Sequence, residues 1–295
     1  MDRLSEQRKG EWYVLSHSAL WGLFPIFTVL SYATMPSLSS YAWSSLFALL
    51  FFGIFVAFRR KSSELFSLQL WKYILPAVLF IGVLYYGLFF VGLTYTTPGN
   101  AAIIAMFEIF TSFVLFHLIR REHISYTHIL GSGLMVIGAI IILGRNFSGI
   151  NVGDVLILAA TICAPIGNLY QQRARKIASS EAIMLLRTLA TIPIVFAVAY
   201  LMNMHISLED PGASLLFVVI NGILLLGLAK LLWIEAIHRI SVMKAIALSS
   251  LTPFLTLLFA WIILNQVPTV WQILSLVPFV LGVLLLTDQI RFRKG

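Results

Sequence analysis

Ten apolar runs, each about 20 residues long and separated by short polar turns, limit what this chain can fold into. In lipid, a spanning segment must satisfy its own backbone hydrogen bonds, which leaves helices or closed barrels. The composition agrees, because 60% of the residues are hydrophobic and 11% are charged, whereas soluble domains are about a quarter charged. We therefore predict an all-α integral membrane protein with ten transmembrane helices, at residues 12–32, 38–58, 72–94, 99–119, 125–144, 153–172, 181–202, 213–237, 243–264 and 268–287.

The basic residues lie between these runs and indicate the orientation of the chain. The two termini and the even-numbered loops, with their flanks, hold 17 of the 20 lysines and arginines, against Arg145 alone in the odd-numbered loops. Positively charged loops stay in the cytoplasm, so we expect a multi-pass protein of the plasma (inner) membrane with both termini cytoplasmic, at 1–11 and 289–295. The net charge of +8 is spread over many loops and forms no single patch, which argues against a nucleic-acid partner.

The sequence also repeats itself at an offset of 144 residues. Residues 87–102 align without gaps on 231–246, and 121–143 on 265–287, with similar apolar patterns and coinciding turns. Each repeat holds five predicted spans, an odd number, so the second repeat must be inverted relative to the first. We predict one repeat at 12–145 and another at 146–288, an arrangement typical of secondary transporters, whose substrate site lies near the membrane midplane.

Three ionisable residues fall inside the predicted spans, where charge is expensive. A helix rises about 1.5 Å per residue, so the distance of each residue from the nearest cytoplasmic cation can be counted along its span. Glu108, Lys230 and Arg187 lie about 18, 14 and 16 Å from that cation. All three therefore belong to one layer. Glu108 and Lys230 are candidates for substrate binding or coupling in a water-filled cavity between the repeats. Two alternatives stay open: a buried structural pair, or a Glu108 that is simply protonated.

Other polar and aromatic residues at this depth have weaker claims. Lining the substrate path and packing between helices are both open roles for five of them, namely Trp21, Tyr86, Asn100, Asn168 and Trp233. Arg187, His17 and Lys244 are secondary candidates, with a structural role favoured for Arg187 because its side chain leans toward the cytoplasm. Glu235 is expected to pair with Arg239 one helical turn later.

Signatures of other chemistry are missing from the sequence. It contains no phosphate-binding loop and no HExxH motif, and its six histidines are scattered over different segments. Cys163 is the single cysteine. Gly131, Ser132 and Gly133 are better explained as small residues for close helix packing than as a nucleophile motif. We therefore expect no cofactor, no metal and no enzymatic activity.

Several short motifs resemble the drug/metabolite transporter superfamily, in particular its EamA-type exporters with five plus five helices. The motifs are ALWGLFP and TICAPIG at the start of each repeat, the steps Gly92-Leu93 and Ala236-Ile237 before short turns, and the series Glu108-Ile109, Glu122, Gly131 and Gly138. The chain departs from the family pattern at two positions. Ile109 stands where proline is usual, whereas the second repeat keeps this proline as Pro253, and Gln266 replaces the turn glutamate of the second repeat. The resemblance implies a secondary transporter working in efflux.

The expected function is therefore export of small metabolites or amino-acid-like solutes by alternating access. A carboxylate and an ammonium could together recognise a zwitterion, or Glu108 could exchange protons as the coupling site. A sugar-phosphate or nucleotide-sugar carrier has the same architecture, and an intramembrane enzyme or a non-transporting sensor are alternatives of another class. The expected partners are a small-molecule solute, the lipid bilayer and, in the coupled version, a proton. The sequence leaves the substrate and the oligomeric state open.

Overall fold

The computed structural model describes residues 2–120, 125–144, 151–205, 212–240, 242–287 and 289. Within these ranges, nine helices are long and apolar enough to cross a membrane, and a tenth apolar helix is shorter. Glu122, Arg145 and most of the tail at 289–295 lie outside the described residues.

The ten predicted spans are all helical, and we number them as spans 1 to 10. Span 1 is Asp2–Ser31, so the segment before the predicted first span continues the same helix; the others are span 2 Ser37–Phe58, span 3 Leu68–Leu93, span 4 Pro98–Ala105 with Phe107–Arg120, span 5 Tyr126–Leu143, span 6 Val152–Ala174, span 7 Ser180–Leu201, span 8 Gly212–Ile220 continued by Asn221–Ala229 and Lys230–Arg239, span 9 Val242–Ser249 with Thr252–Leu264, and span 10 Val270–Leu286. A short 3₁₀ turn, Ser62–Phe66, joins spans 2 and 3.

Irregular points in the helices recur at the predicted offset of 144 residues. Span 3 contains a π-helical segment at Val78–Tyr85, and span 8 contains one at Asn221–Ala229. Span 4 is interrupted after Ala105, and span 9 is interrupted after Ser249. The two halves thus share their departures from ideal geometry as well as their helices.

Packing between the spans follows the same two-fold pattern. Span 2 packs on span 7 and span 5 on span 10, so each of these pairs joins equivalent helices of the two halves. Span 1 packs on spans 8 and 9, as span 6 packs on spans 3 and 4. The protein is therefore an all-α membrane protein of two inverted five-helix repeats that pack against each other.

Each π-helical segment has a backbone carbonyl that accepts a hydrogen bond from a neighbouring span. The hydroxyl of Tyr41 donates to the carbonyl of Gly82 at 2.5 Å. The Nδ1 of His17 lies 2.8 Å from the carbonyl oxygen of Ala229, and this nitrogen must carry the proton because a carbonyl can only accept. Buried carbonyls need such partners, and π turns distort the regular helical ladder. The first residues after the two segments are Tyr86 and Lys230.

Small residues bring spans 5 and 10 close together. A Cβ atom added to Gly131 would lie 3.0 Å from the carbonyl oxygen of Gly282, and one added to Gly282 would lie 2.8 Å from that of Gly131. The close-packing prediction is therefore confirmed at Gly131. At Gly133 it is wrong, because a Cβ there would meet no atom within 4 Å.

Candidate functional site

A chain of hydrogen bonds links the predicted acid to the predicted arginine. Asn168 Nδ2 donates to Glu108 Oε1 at 3.0 Å, Gln171 Nε2 donates to Asn168 Oδ1 at 3.2 Å, and Arg187 donates to Gln171 Oε1 at 2.9 Å. We name these four residues the central polar chain. Every donor in it points toward Glu108, so two neutral amides connect a guanidinium to a carboxylate, and such aligned dipoles strengthen one another.

The elements that position this chain come from both repeats. Glu108 is the second residue of the second helix of span 4, just after the interruption of that span. Asn168 and Gln171 lie one turn apart on span 6, which places both amides on one face of that helix. Arg187 reaches Gln171 from span 7 and is buried, with 7% of its surface exposed.

Lys230 projects from span 8 onto an aromatic surface. Its Nζ lies 3.4 Å from the ring centroid of Trp21 and 5.9 Å from that of Tyr86, a cation–π arrangement that stabilises an ammonium away from water. It interacts electrostatically with Glu108, yet no ion pair within 4.0 Å joins the two, and among the described residues no other carboxylate comes that close to Lys230.

The members of this site still border accessible space. Glu108, Asn168, Gln171, Lys230 and Trp21 are half-buried, although each makes contacts within the bundle. Their spans belong to both repeats. A partly accessible carboxylate and a partly accessible ammonium in one region can each bind a group of a solute.

His17 and Trp233 support the aromatic surface. The His17 ring lies 5.8 Å from Trp21 and 5.1 Å from Trp233, measured between centroids. The ring is held by its hydrogen bond to the carbonyl of Ala229, the residue that precedes Lys230 in the sequence. His17 is buried, whereas Trp233 is half-buried. The structure thus brings Glu108, Lys230, Trp21, Tyr86, Asn168, Arg187, His17 and Trp233 into one region.

Asn100 belongs to a different group of residues. Gln272 Nε2 donates to Asn100 Oδ1 at 2.8 Å, Asn100 Nδ2 donates to Thr96 Oγ1 at 3.3 Å, and the Thr96 hydroxyl donates to Asp154. We name these four residues the helix-start cluster, because they lie at the starts of spans 4, 6 and 10. Asn100, Asp154 and Gln272 are all buried.

Lys244 also lies apart from the central polar chain. It forms an ion pair with Glu11 of span 1. Near it, Arg239 binds Glu6 at 3.1 Å and Glu235 at 2.6 Å, which confirms the predicted pair of Glu235 and Arg239. These contacts tie the start of span 1 to spans 8 and 9.

Sequence reasoning missed Gln171, Asp154 and Gln272. Gln171 could have been found, because it follows Asn168 by three residues on a helix and therefore shares its face. Asp154 and Gln272 stand in the first turns of their spans, where capping is the usual role for polar residues. Across the described ranges, no group of three histidine, cysteine, aspartate or glutamate residues could hold a metal ion.

Comparisons with known proteins agree with this architecture. A curated relative, "Uncharacterized transporter YyaM" from Bacillus subtilis (strain 168), is 23% identical over 218 residues, which cover 70% of this chain and 70% of the relative. A solved crystal structure superimposes on 94% of this chain and 95% of its own with a TM-score of 0.70, and at 18% identity this likeness shows the fold alone. The profile of the EamA-like transporter family matches residues 8–144 and again 151–288, nearly the whole chain. The chain therefore belongs to the EamA-like transporter family.

Proposed function

We propose that this membrane transporter is a secondary exporter of small metabolites or amino-acid-like solutes that works by alternating access. The two repeats rock about the space bordered by Glu108 and Lys230, in the manner of other inverted-repeat transporters. The charge of the loops favours the plasma (inner) membrane and cytoplasmic termini. Export then runs from the cytoplasmic side, where span 1 begins, to the opposite side of the membrane.

The observation that carries the proposal is the separation of Glu108 from Lys230. Opposite charges in a low-dielectric interior attract strongly and are expected to meet when nothing stands between them. Here each charge is instead held by its own wall, Glu108 by Asn168 and Lys230 by Trp21. We propose that a zwitterion binds between them, with its ammonium toward Glu108 and its carboxylate toward Lys230.

A second role for Glu108 is compatible with the same geometry. If Glu108 binds a proton, the attraction for a solute ammonium is lost, which would couple solute release to proton uptake. The two roles differ in pH dependence, because a coupling carboxylate makes transport follow a proton gradient and a purely binding carboxylate does not.

The test is efflux from proteoliposomes that contain the purified full chain. The vesicles are loaded with an isotopically labelled mixture of the twenty protein amino acids, and the released compounds are identified by mass spectrometry with and without a pH gradient. We expect selective efflux by the wild type and its loss in Glu108→Gln, with normal efflux in the control Glu64→Gln. Unchanged flux and unchanged pH response in Glu108→Gln would remove both roles of the acid.

A metabolite comparison of the medium of deletion and overexpression cells extends the search beyond amino acids. We expect a small zwitterionic compound to accumulate outside overexpressing cells. Accumulation of sugar phosphates or nucleotide sugars would favour the rival carrier class, and an unaltered medium in both strains would contradict export.

A further inference from the structure

The two ends of the central polar chain have opposite hydrogen-bonding character. Arg187 carries a guanidinium, which has N–H donors and no acceptor, whereas Glu108, when ionised, carries a carboxylate, which only accepts. Between them lie Gln171 and Asn168, whose amides each have one accepting and one donating end. A flipped amide exchanges these two ends, so the direction of each amide has to be set by its partners.

The guanidinium sets the direction of both amides. The Gln171 atom that lies 2.9 Å from the Arg187 guanidinium nitrogen must be its oxygen, because only the oxygen can accept there. The NH2 group of Gln171 is then directed at Asn168, and at 3.2 Å it requires the amide oxygen of that residue. The NH2 group of Asn168 is left to face Glu108, at 3.0 Å. The orientation of Asn168 therefore follows from a residue two hydrogen bonds away.

The carboxylate end requires the same direction. An ionised Glu108 can only accept, so Asn168 must bind it through the NH2 group, and a reversed amide would bring two oxygens together. Within the described residues, the side chains of Asn168 and Gln171 form hydrogen bonds only inside the central polar chain. Glu108 and Arg187 are therefore the two groups that orient them.

The equivalent helices of the other half pack without such a chain. Span 4 packs on span 6 as span 9 packs on span 1, and spans 2 and 7 pack on each other. Yet the corresponding segments Thr252–Leu264, 18–31 and Ser37–Phe58 contain no charged residue and no asparagine or glutamine. Helix packing in this fold therefore does not require a polar chain, which favours a role at the site for the costly charges of spans 4 and 7.

We propose that Arg187 and Gln171 are positioning residues of the Glu108 site, because they hold the Asn168 amide with its NH2 group toward the carboxylate. Asn168 then occupies Oε1 of Glu108, and the second carboxylate oxygen accepts a hydrogen bond from a positively charged nitrogen of the solute. This solute contact rests on the proposed function and deepens it, because selection for a charged nitrogen then depends on the whole chain. The orientation of Asn168 by Arg187 stands without it.

The first measurement is the infrared absorption of the Glu108 carboxylate in the purified full chain. The difference between the spectra of the wild type and Glu108→Gln isolates this group, and every further variant is paired with its own Glu108→Gln form. Gln171→Met interrupts the chain at constant charge, so the Asn168 amide is free to reverse or to move away. We expect the carboxylate band to shift in Gln171→Met and to keep its wild-type frequency in the control Gln172→Met, which changes the exposed neighbour.

Two substitutions of Arg187 test whether its donors set the direction. Arg187→Met removes every donor, whereas Arg187→Lys keeps a cation that can only donate. We expect the band shift of Gln171→Met to recur in Arg187→Met and to be smaller in Arg187→Lys. Thermal unfolding of each variant identifies one that fails to fold, in which case Gln171→Met decides the question.

A further substitution separates positioning from packing. Gln171→Glu keeps an acceptor for Arg187, and therefore the link between spans 6 and 7, but its carboxylate has no donor for Asn168. We expect an unfolding temperature at least as high as that of the wild type, because the guanidinium gains a carboxylate partner. Efflux of the labelled amino acids from proteoliposomes should nevertheless need an about tenfold higher internal concentration for half of its maximal rate, as in Gln171→Met.

The outcomes separate this proposal from the proposed function. An unchanged carboxylate band in folded Gln171→Met or Arg187→Met would overturn the positioning role. A shifted band together with a wild-type concentration dependence of efflux would leave Asn168 oriented by Arg187 and contradict the binding of a charged nitrogen at Glu108. Because the infrared spectra require no transport, they decide the positioning role even if the chain exports none of the amino acids.

Discussion

The central polar chain and the helix-start cluster each consist of four residues with polar side chains, but they use polarity differently. In the helix-start cluster, neutral amides and hydroxyls bind one another and Asp154, and its members Asn100, Asp154 and Gln272 are buried. In the central polar chain, two ends are charged, and Glu108 and the two amides remain half-buried. Completed hydrogen bonds in a dry interior hold helices together, whereas incompletely compensated charge beside accessible space is suited to binding.

Capping contacts that Asn100 and Gln272 of the helix-start cluster make with the neighbouring residues Thr97 and Thr269 strengthen this contrast. Thr97 accepts the backbone N–H of Asn100, and Thr269 and Gln272 form a reciprocal capping box at the start of span 10. These side chains satisfy backbone donors that a helix start leaves free. Changes in the two regions should therefore separate cleanly into effects on transport and effects on stability.

The largest expected effect is on transport, in Lys230→Met. Methionine keeps an unbranched side chain over Trp21 and removes the ammonium, so a charge-assisted contact with the solute is lost and efflux should fall about 100-fold. The unfolding temperature should stay level or rise, because a cation inside a membrane span is replaced by an apolar group. Efflux from proteoliposomes and thermal unfolding in detergent measure the two quantities.

Lys72→Met is the matched control, because Lys72 is exposed and lies over the Tyr73 ring. Its efflux should equal that of the wild type. Retained efflux in Lys230→Met would contradict a binding role for the region around Lys230, which would then behave like the helix-start cluster.

A purely steric change sets the scale for loss of stability. Gly282→Leu forces a side chain against the Gly131 carbonyl and the Met135 side chain, and it should lower the free energy of unfolding by about 3 kcal/mol. Gly133 also lies on span 5, but a Cβ added there would meet no atom within 4 Å. Gly133→Leu should therefore change the free energy of unfolding by less than about 0.5 kcal/mol. Equal losses in both variants would contradict close packing at Gly131 and Gly282.

The helix-start cluster should show the opposite pattern to Lys230. Gln272→Leu removes the capping box and leaves Asn100 Oδ1 without its 2.8 Å bond, at a cost of about 2 kcal/mol in the free energy of unfolding. Efflux per folded molecule should stay within about twofold of the wild type. Gln172→Leu, at an exposed position, is the control, and a selective loss of efflux in Gln272→Leu would extend the substrate path to this cluster.

The smallest effect concerns a carboxylate outside the membrane spans. Burial alone would raise the pKa of Glu64, but the hydrogen bond from the Ser179 N–H at 2.6 Å and the ion pair with Lys61 at 3.1 Å bring its pKa below the usual value. The unfolded chain therefore binds the proton more readily, and the contribution of Glu64 is present near neutral pH and lost as the pH falls through the folded-state pKa.

This contribution is about 0.5 kcal/mol, because an acid near the start of span 7 is partly screened by water. Thermal unfolding between pH 7 and pH 3 should show a slightly steeper acid loss in the wild type than in Glu64→Gln. Parallel curves would show that Glu64 contributes nothing, in keeping with many surface ion pairs.

The sequence predicts much of this architecture for clear physical reasons. The length of each apolar run identifies every span. The 144-residue offset is visible because the two repeats have similar apolar patterns and turns at equivalent positions. The layer of Glu108, Lys230 and Arg187 followed from distance along a helix alone. Asn100 lies apart from these three residues, among Thr96, Asp154 and Gln272, because depth does not specify which way a side chain points.

Helix rotation is what the sequence could not supply. A π turn adds a residue to the helix and turns every later side chain by about 100° relative to a regular helix, so the directions of Tyr86 and Lys230 depend on irregularities that apolar periodicity hides. The pairing of Lys244 with Glu11, across 233 positions of sequence, is similarly set by how spans 1 and 9 meet.

The interruption of span 4 after Ala105 has a mechanical meaning. Two short-range bonds bracket it, from the N–H of Met106 to Ile103 and from the N–H of Ile109 to Met106, and Glu108 stands directly beside it. The half-helix Phe107–Arg120 has 14 residues and a length of about 21 Å, so that, as a lever, a tilt of about 10° at Met106 would swing its far end by roughly 4 Å and Glu108 by roughly 0.5 Å. An acid at the pivot of a lever can hold Asn168 while the rest of the arm moves.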